Sequence, residues 1–372
     1  MSNRPTHELL VYIGTYTRRD PYSTGKGDGI YLYRLDLLSG ALTFAGKATE
    51  TVNPSFLAFD PERRYLYCVN EVDGRDGKSM GAVSAFAMDP ASGKLALINQ
   101  QSTQGTSPCH LVVDATRRYV LVANYGSGSV CVLPILESGG LGPIVDFVQH
   151  EGSSINPQRQ QSPHPHSVNL NRNNRLVYVP DLGLDKIMIY ELDGARGKLT
   201  PYHEQPWART KSGAGPRHLD FHPNQPFVYV VNELDSTVTV FALDQERGTL
   251  KEVQTVSALP ADFSGKSTGA DIHVHPSGRF LYSSNRGHDS IAIFGVDESS
   301  GRLTPIGHTP SGGRTPRNFA IDPTGAYLLA ANQQSDSVVI FRIDAKSGRL
   351  TPTEQEIQAP TPVCIKLISL SA

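Results

Sequence analysis

His166, Arg217, Asp271 and Arg317 share one recurrent position in the chain. Each follows the Pro (Ala270 before Asp271) that opens a short run of alternating polar and apolar residues, and the pattern returns about every fifty residues. Ser55, Cys109 and Val363 hold the same position in the other copies. A second recurrent position directly follows an Asn that closes an apolar run. It carries Glu71, Tyr125, Glu233, Arg286 and Gln333, with Tyr16 and Leu182 at the matching places after Thr15 and Asp181. A purely structural repeat would keep like residues at like positions. These vary in type and are rich in ionisable groups, which marks them as candidates for chemistry. Arg217 and Arg286 are fixed cations, suited to a phosphate, a carboxylate or a developing oxyanion. His166 and Glu233 are titratable groups of different type, able to divide acid and base roles near neutral pH.

Each candidate also has a plain alternative. Arg217 can pair with Glu233 as a structural ion bridge, Arg286 can be a solvated loop cation, and His166 can cap a turn in its Pro-rich entry. His218 and His273 follow the strand alternation and read as packed or supporting histidines. His222 and His275 hold turn positions that Asp60 and Asp322 hold elsewhere, so they belong to turn hydrogen bonding. Cys68, Cys131 and Cys364 sit in strand patterns as small hydrophobes, and nothing in the sequence pairs Cys109 with a base. The pair in His164-Pro165-His166 is too little for a metal site, and no metal or other cofactor is expected.

The elements that must position these residues are clearest in residues 215–250. Residues 217–221 alternate, 222–226 form a Pro-rich turn, and 227–231 are continuously apolar. A loop at 232–236 leads to a second alternating run at 237–243, a turn at 244–248 and a last strand at 249–256. Six full copies of this four-strand pattern begin near Pro54, Pro108, Pro165, Pro216, Ala270 and Pro316. A seventh is split: residues 12–16, 29–36 and 39–42 supply its later parts, and residues 361–367 supply its inner strand. The expected fold is therefore an all-β, seven-bladed β-propeller with four-stranded blades, one domain over residues 1–372, closed by pairing the two ends of the chain. Strand direction alternates within a blade. Both recurrent positions must then lie at the same mouth of the central channel, with the D/H-P and acidic-Gly turns at the other.

Three segments depart from the repeat: polar insertions at 17–29 and 71–80, and the long connection at 149–164. A loop of that length in a compact domain is usually functional or disordered. The net charge of −2 leaves no basic footprint for nucleic acid. No stretch approaches the roughly 18 consecutive apolar residues of a membrane span, and the start of the chain has no signal-like apolar core, so a cytoplasmic location is expected. The Gly-x-Gly pair at Gly126 and Gly128 does not join a strand to a helix and is no nucleotide fingerprint.

With these residues in place, the chain resembles the seven-bladed propeller lactonases of the cycloisomerase-type 6-phosphogluconolactonase family, to which the fungal carboxy-cis,cis-muconate cyclase is related. The resemblance rests on residues 12–16, Arg159-Gln160, the segment from Pro163 to Ser167, Gly215-Pro216-Arg217-His218, Asn232-Glu233 and Ser284-Asn285-Arg286. It implies a small anionic lactone as substrate, such as 6-phosphoglucono-1,5-lactone of the pentose phosphate pathway. It also implies a site built from His166, Arg217, Glu233 and Arg286. Arg159, Arg317, Asp271, Tyr16, Glu71, Tyr125 and Gln333 are the surrounding candidates for substrate binding. A carboxymuconate cycloisomerase, another sugar lactonase and a non-enzymatic binding propeller are the alternatives, because one propeller fold hosts several activities.

Overall fold

The computed structural model describes residues 7–19, 24–74 and 80–369. Parts of two expected insertions, residues 20–23 and 75–79, lie outside the described residues. The continuously apolar run becomes the strand Phe227–Asn232, in which every residue is buried. Such a strand needs apolar cover on both faces of its sheet. The outermost strand of the same sheet, Leu250–Ser257, has only exposed and partly buried residues after its first position. That gradient from centre to rim recurs in seven antiparallel sheets. The apolar clusters lie between neighbouring sheets. Tyr178, Ile187 and Ile189 meet Val228, Val230 and Phe241, for example, and Val231 and Val238 meet Ile272 and Leu281.

The chain ends close the ring as expected. Pro362–Ser369 pairs antiparallel with Glu8–Thr15, with Val11 opposite Leu367 and Ile13 opposite Ile365. Gly29–Asp36 and Leu42–Glu50 complete that blade. A second device ties five of the seven blades to the next. The tyrosine hydroxyls of the second strands donate to carbonyls of closing-turn glycines one blade on: Tyr12 to Gly93, Tyr67 to Gly139, Tyr178 to Gly248, Tyr229 to Gly301 and Tyr282 to Gly348. A buried phenol needs such a partner. This explains why the aromatic strand and the G-x-L turn recur together.

One blade departs from four strands. Its inner strand shrinks to Asn169–Leu170, and it gains a fifth strand, Trp207–Arg209, beside Lys186–Asp193. At the rim the reason is proline: Pro201 and Pro206 bracket the break in the outer strand, where their missing N–H groups interrupt the ladder. The Asn that closes the second strand is Asp181 here. It accepts hydrogen bonds from the backbone N–H groups of His164 and Gly183, and its other oxygen meets Nδ1 of His150 at 2.6 Å. The long 149–164 connection is thereby folded down over this blade, with Gln160 fully buried and bonded to the Leu182 carbonyl.

Candidate active site

The residue after the recurrent Pro is aimed by the backbone. Ladder register shifts between Pro108 and His110, between Pro216 and His218, and between Pro316 and Asn318. Cys109, Arg217 and Arg317 are therefore the extra residues of β-bulges, which turn a side chain out of the ladder. The residue before each of these prolines has positive φ: 49° at Ser107, 67° at Gly215 and 60° at Thr315. For a β-branched residue such as Thr315 this is a strained conformation, held by its surroundings. Asp289, in the loop of the preceding blade, accepts the Thr315 N–H, and Asp185 does the same for Gly215. The rim is thus stapled from blade to blade. Glu233 lies at a seam of the same kind, with its N–H on the Gly215 carbonyl and its own carbonyl accepting from Gly269.

Three guanidiniums converge on the Glu233 carboxylate. Arg159 Nη2 reaches Oε1 at 2.6 Å, and Arg217 Nε and Arg286 Nη2 each reach Oε2 at 3.0 Å. The Glu233 side chain is 5% exposed and that of Arg217 is 2% exposed. Burial alone would raise the Glu233 carboxyl, but Arg286, Arg217 and Arg159 together hold it well below the ordinary carboxylate range. It stays ionised and is a poor proton acceptor. Burial, then Arg286 and Arg317, pull Arg217 down to about 10, which leaves it charged at neutral pH.

This changes the expected roles. Arg217 and Arg286 do not stand as an open clamp for an incoming anion, because Glu233 is their common anion. The second Arg217 branch donates to the Ala270 carbonyl and to His218 Nε2. His218 must then carry its proton on Nδ1, which donates to Asp271 Oδ1 at 2.8 Å. The other Asp271 oxygen takes His273, Asn318 and the Phe319 N–H. Asp271 is 2% exposed and fully engaged. The expectation that it contacts substrate gives way to a buried support that fixes His218, and through it Arg217.

His166 comes from the blade next to that of Glu233, and its Nε2 lies 3.8 Å from Glu233 Oε2. Burial and then Arg217 lower its pKa well below the ordinary value, so the imidazole is neutral near neutral pH. Its Nδ1 lies 3.5 Å from Cys109 Sγ, so Cys109 does have an imidazole neighbour, which the sequence did not show. Burial pushes that thiol above its ordinary range, so it is protonated; its S–H can donate to the His166 carbonyl, 3.4 Å away, which leaves the sulfur to accept the Nδ1 proton and Nε2 bare. His164 diverges from His166 and bonds the Tyr125 carbonyl. Among the described residues, no group of three or more His, Cys, Asp or Glu is placed to hold a metal.

Tyr125 stacks on His164 with ring centroids 4.6 Å apart, meets His166 edge-on, and accepts a hydrogen bond from Arg159. Tyr16 donates to Glu71 at 2.9 Å, and the Arg317 guanidinium lies 5.4 Å from the centre of the Tyr16 ring. Gln333 and Leu182 are buried below the rim. The channel beneath is lined by Phe56, His110 and His218, with ring centroids of 4.0 Å for Phe56 with His110 and 5.4 Å for His110 with His218. Sequence reading passed over Phe56 and His110. Comparing the second residue after each recurrent Pro would have found them. Two surface hollows, one lined by Asp60, Arg64 and Arg117 and the other by Glu62, Arg63 and Ser369, lie at the opposite face among exposed turn residues.

The comparisons agree with this architecture. The family model described as "Lactonase, 7-bladed beta-propeller" matches residues 10–367. A 6-phosphogluconolactonase of Bacillus subtilis is 38% identical over 97% of this chain and 99% of its own. One of Formosa agariphila is 36% identical over 83% of this chain and 85% of its own. The structure of a periplasmic gluconolactonase of Pseudomonas aeruginosa superposes with a TM-score of 0.90 at 36% identity, covering 98% of this chain and 100% of that one. The chain belongs to the seven-bladed β-propeller lactonase family.

Proposed function

We propose that the protein hydrolyses 6-phosphoglucono-1,5-lactone to 6-phosphogluconate at the mouth described above, and that it does so in the cytoplasm. The observation that carries this reading is a neutral, buried imidazole beside a cluster of guanidiniums that outnumber their carboxylates. Among the described residues, Arg159, Arg217, Arg286 and Arg317 face Glu71, Glu233 and Asp271, four guanidiniums against three carboxylates. Such a site attracts an anionic lactone and stabilises the charge that grows on its carbonyl oxygen. The names of the Bacillus and Formosa relatives support the substrate, and the Pseudomonas neighbour supports a sugar lactone more broadly.

In this scheme His166 Nε2 takes a proton from the water that attacks the lactone carbonyl. The imidazolium so formed sits beside ionised Glu233. As the ring C–O bond breaks, the proton passes from the imidazolium to the departing oxygen; the carboxylic acid so formed releases its remaining proton to solvent and leaves as a carboxylate. Glu233 keeps its charge throughout and orients the guanidiniums, so of the two expected candidates for the base His166 is the one whose environment suits the role.

The test is turnover of freshly generated 6-phosphoglucono-1,5-lactone above its spontaneous rate. His166→Asn is expected to lose about a hundredfold or more in kcat, the usual scale of general acid–base help. The active form is neutral His166, so kcat/KM should fall only as pH drops below the ordinary histidine value of about 6.5. That acidic limb should vanish in the variant. A muconate absorbance change without lactone hydrolysis would instead mark a cycloisomerase, and neither activity would leave a binding propeller.

A further inference from the structure

We propose that Arg317 anchors the remote anionic group of the substrate, a phosphate or a carboxylate, and so sets the preference for charged over neutral lactones. This rests on the lactonase reading of the same mouth. Arg159, Arg217 and Arg286 all direct a guanidinium N–H at Glu233. The Arg317 guanidinium makes no hydrogen bond and no ion pair with any described residue, although the residue is partly buried. The face of the Tyr16 ring lies against it, 5.4 Å from the guanidinium carbon. An aromatic face steadies a guanidinium while leaving its N–H edges free for an acceptor in the ring plane.

The surroundings make an anion the fitting acceptor. A guanidinium withdrawn from water without a hydrogen-bond partner is unfavourable, and its planar donor edge matches phosphate or carboxylate oxygens in pairs. The nearest carboxylate on its side of the mouth, Glu71, accepts the Tyr16 hydroxyl and is not within ion-pair distance of Arg317. Arg217 and Arg286 act on each other and on Arg317 as like charges. An arriving anion would relieve that repulsion. The backbone supports a fixed direction of approach: Arg317 is the bulged residue after Pro316, and Thr315 before it is held at a φ of 60° by Asp289. A lactone whose carbonyl rests on the His166 side of the guanidinium cluster would extend its substituted end across the mouth toward Arg317.

The experiment compares wild type, Arg317→Gln and Arg317→Lys on three lactones with the same ring, bearing phosphate, carboxylate or hydroxyl at the terminal carbon. In Arg317→Gln, kcat/KM for the anchored anion should fall about a hundredfold, and its ratio to the neutral lactone should fall at least tenfold. The charged lactone whose turnover collapses identifies the anion, and Arg317→Lys should recover part of it. Calorimetric titration with inorganic phosphate and with acetate gives a readout independent of turnover. Binding of one of them should weaken at least tenfold in Arg317→Gln. Equal losses on charged and neutral lactones, or unweakened binding of both ions, would overturn the proposal. If the wild type turns over no lactone, the lactonase reading fails, and the titrations still decide whether Arg317 holds an anion. Thermal melting of both variants separates misfolding from loss of recognition.

Discussion

Replacing Glu233 with Gln is expected to destabilise the protein by about 3 kcal/mol or more and to cut kcat/KM by roughly a thousandfold. The substitution keeps the shape and removes the charge. It leaves Arg159, Arg217 and Arg286 facing an amide where they now share a carboxylate. Removing one member of a buried ion cluster strands the others. Arg217 is worst placed, because it is enclosed and has no route to solvent. The catalytic loss follows from the same cause: the guanidiniums lose their common target, and the imidazolium formed on His166 loses its counter-ion.

The pH dependence gives a sharper check. The folded protein holds the Glu233 carboxyl below its unfolded value of about 4.3, so folding favours the ionised form. The stabilisation is complete above that value and is lost as pH falls through the lower folded pKa. Denaturant melts of wild type and Glu233→Gln should therefore differ by a constant amount across the neutral range. The gap should close only in acid, below about pH 4. A gap that closes between about pH 6 and 8 would instead point to a histidine as the source. Wild-type kinetics in Glu233→Gln would remove this residue from the site.

Deleting the final strand should have the largest effect on stability. Pro362–Ser369 supplies the inner strand of the blade built by the N-terminal residues, and Val363, Ile365 and Ile368 are buried within it. Exposing three such side chains forfeits about 5–9 kcal/mol, against a typical total of about 5–15. The Ile365 N–H also donates to Asn318 in the neighbouring blade, so that contact is lost too. A chain ending at residue 360 is expected to lack a cooperative melt near the parent temperature and to aggregate through the exposed edge of Glu8–Thr15. A truncated chain that melts as the parent does would show that the ring does not depend on this closure.

The ring and the placing of the candidate residues at one mouth could be read from the sequence because a repeat converts spacing into position. Once Pro216, Asn232 and their counterparts are aligned, the backbone address of Arg217, Glu233, His166 and Arg286 follows from strand alternation alone. The closure followed for the same reason, since Thr361-Pro362 repeats the opening of a blade. What the spacing does not contain is which atoms meet. Arg159 sits in a connection outside the repeat, and its reach to Glu233 depends on how Asp181 and His150 fold that connection down. Asp271 shares its address with Arg217 and Arg317, yet the donors of His218, His273 and Asn318 draw it beneath the surface. The contact of Cys109 with His166 joins two blades and has no counterpart at equivalent positions. Of four guanidiniums at one mouth, three bind one carboxylate and Arg317 is left for another anion, because that division is set by distances across the channel, which only the closed ring determines.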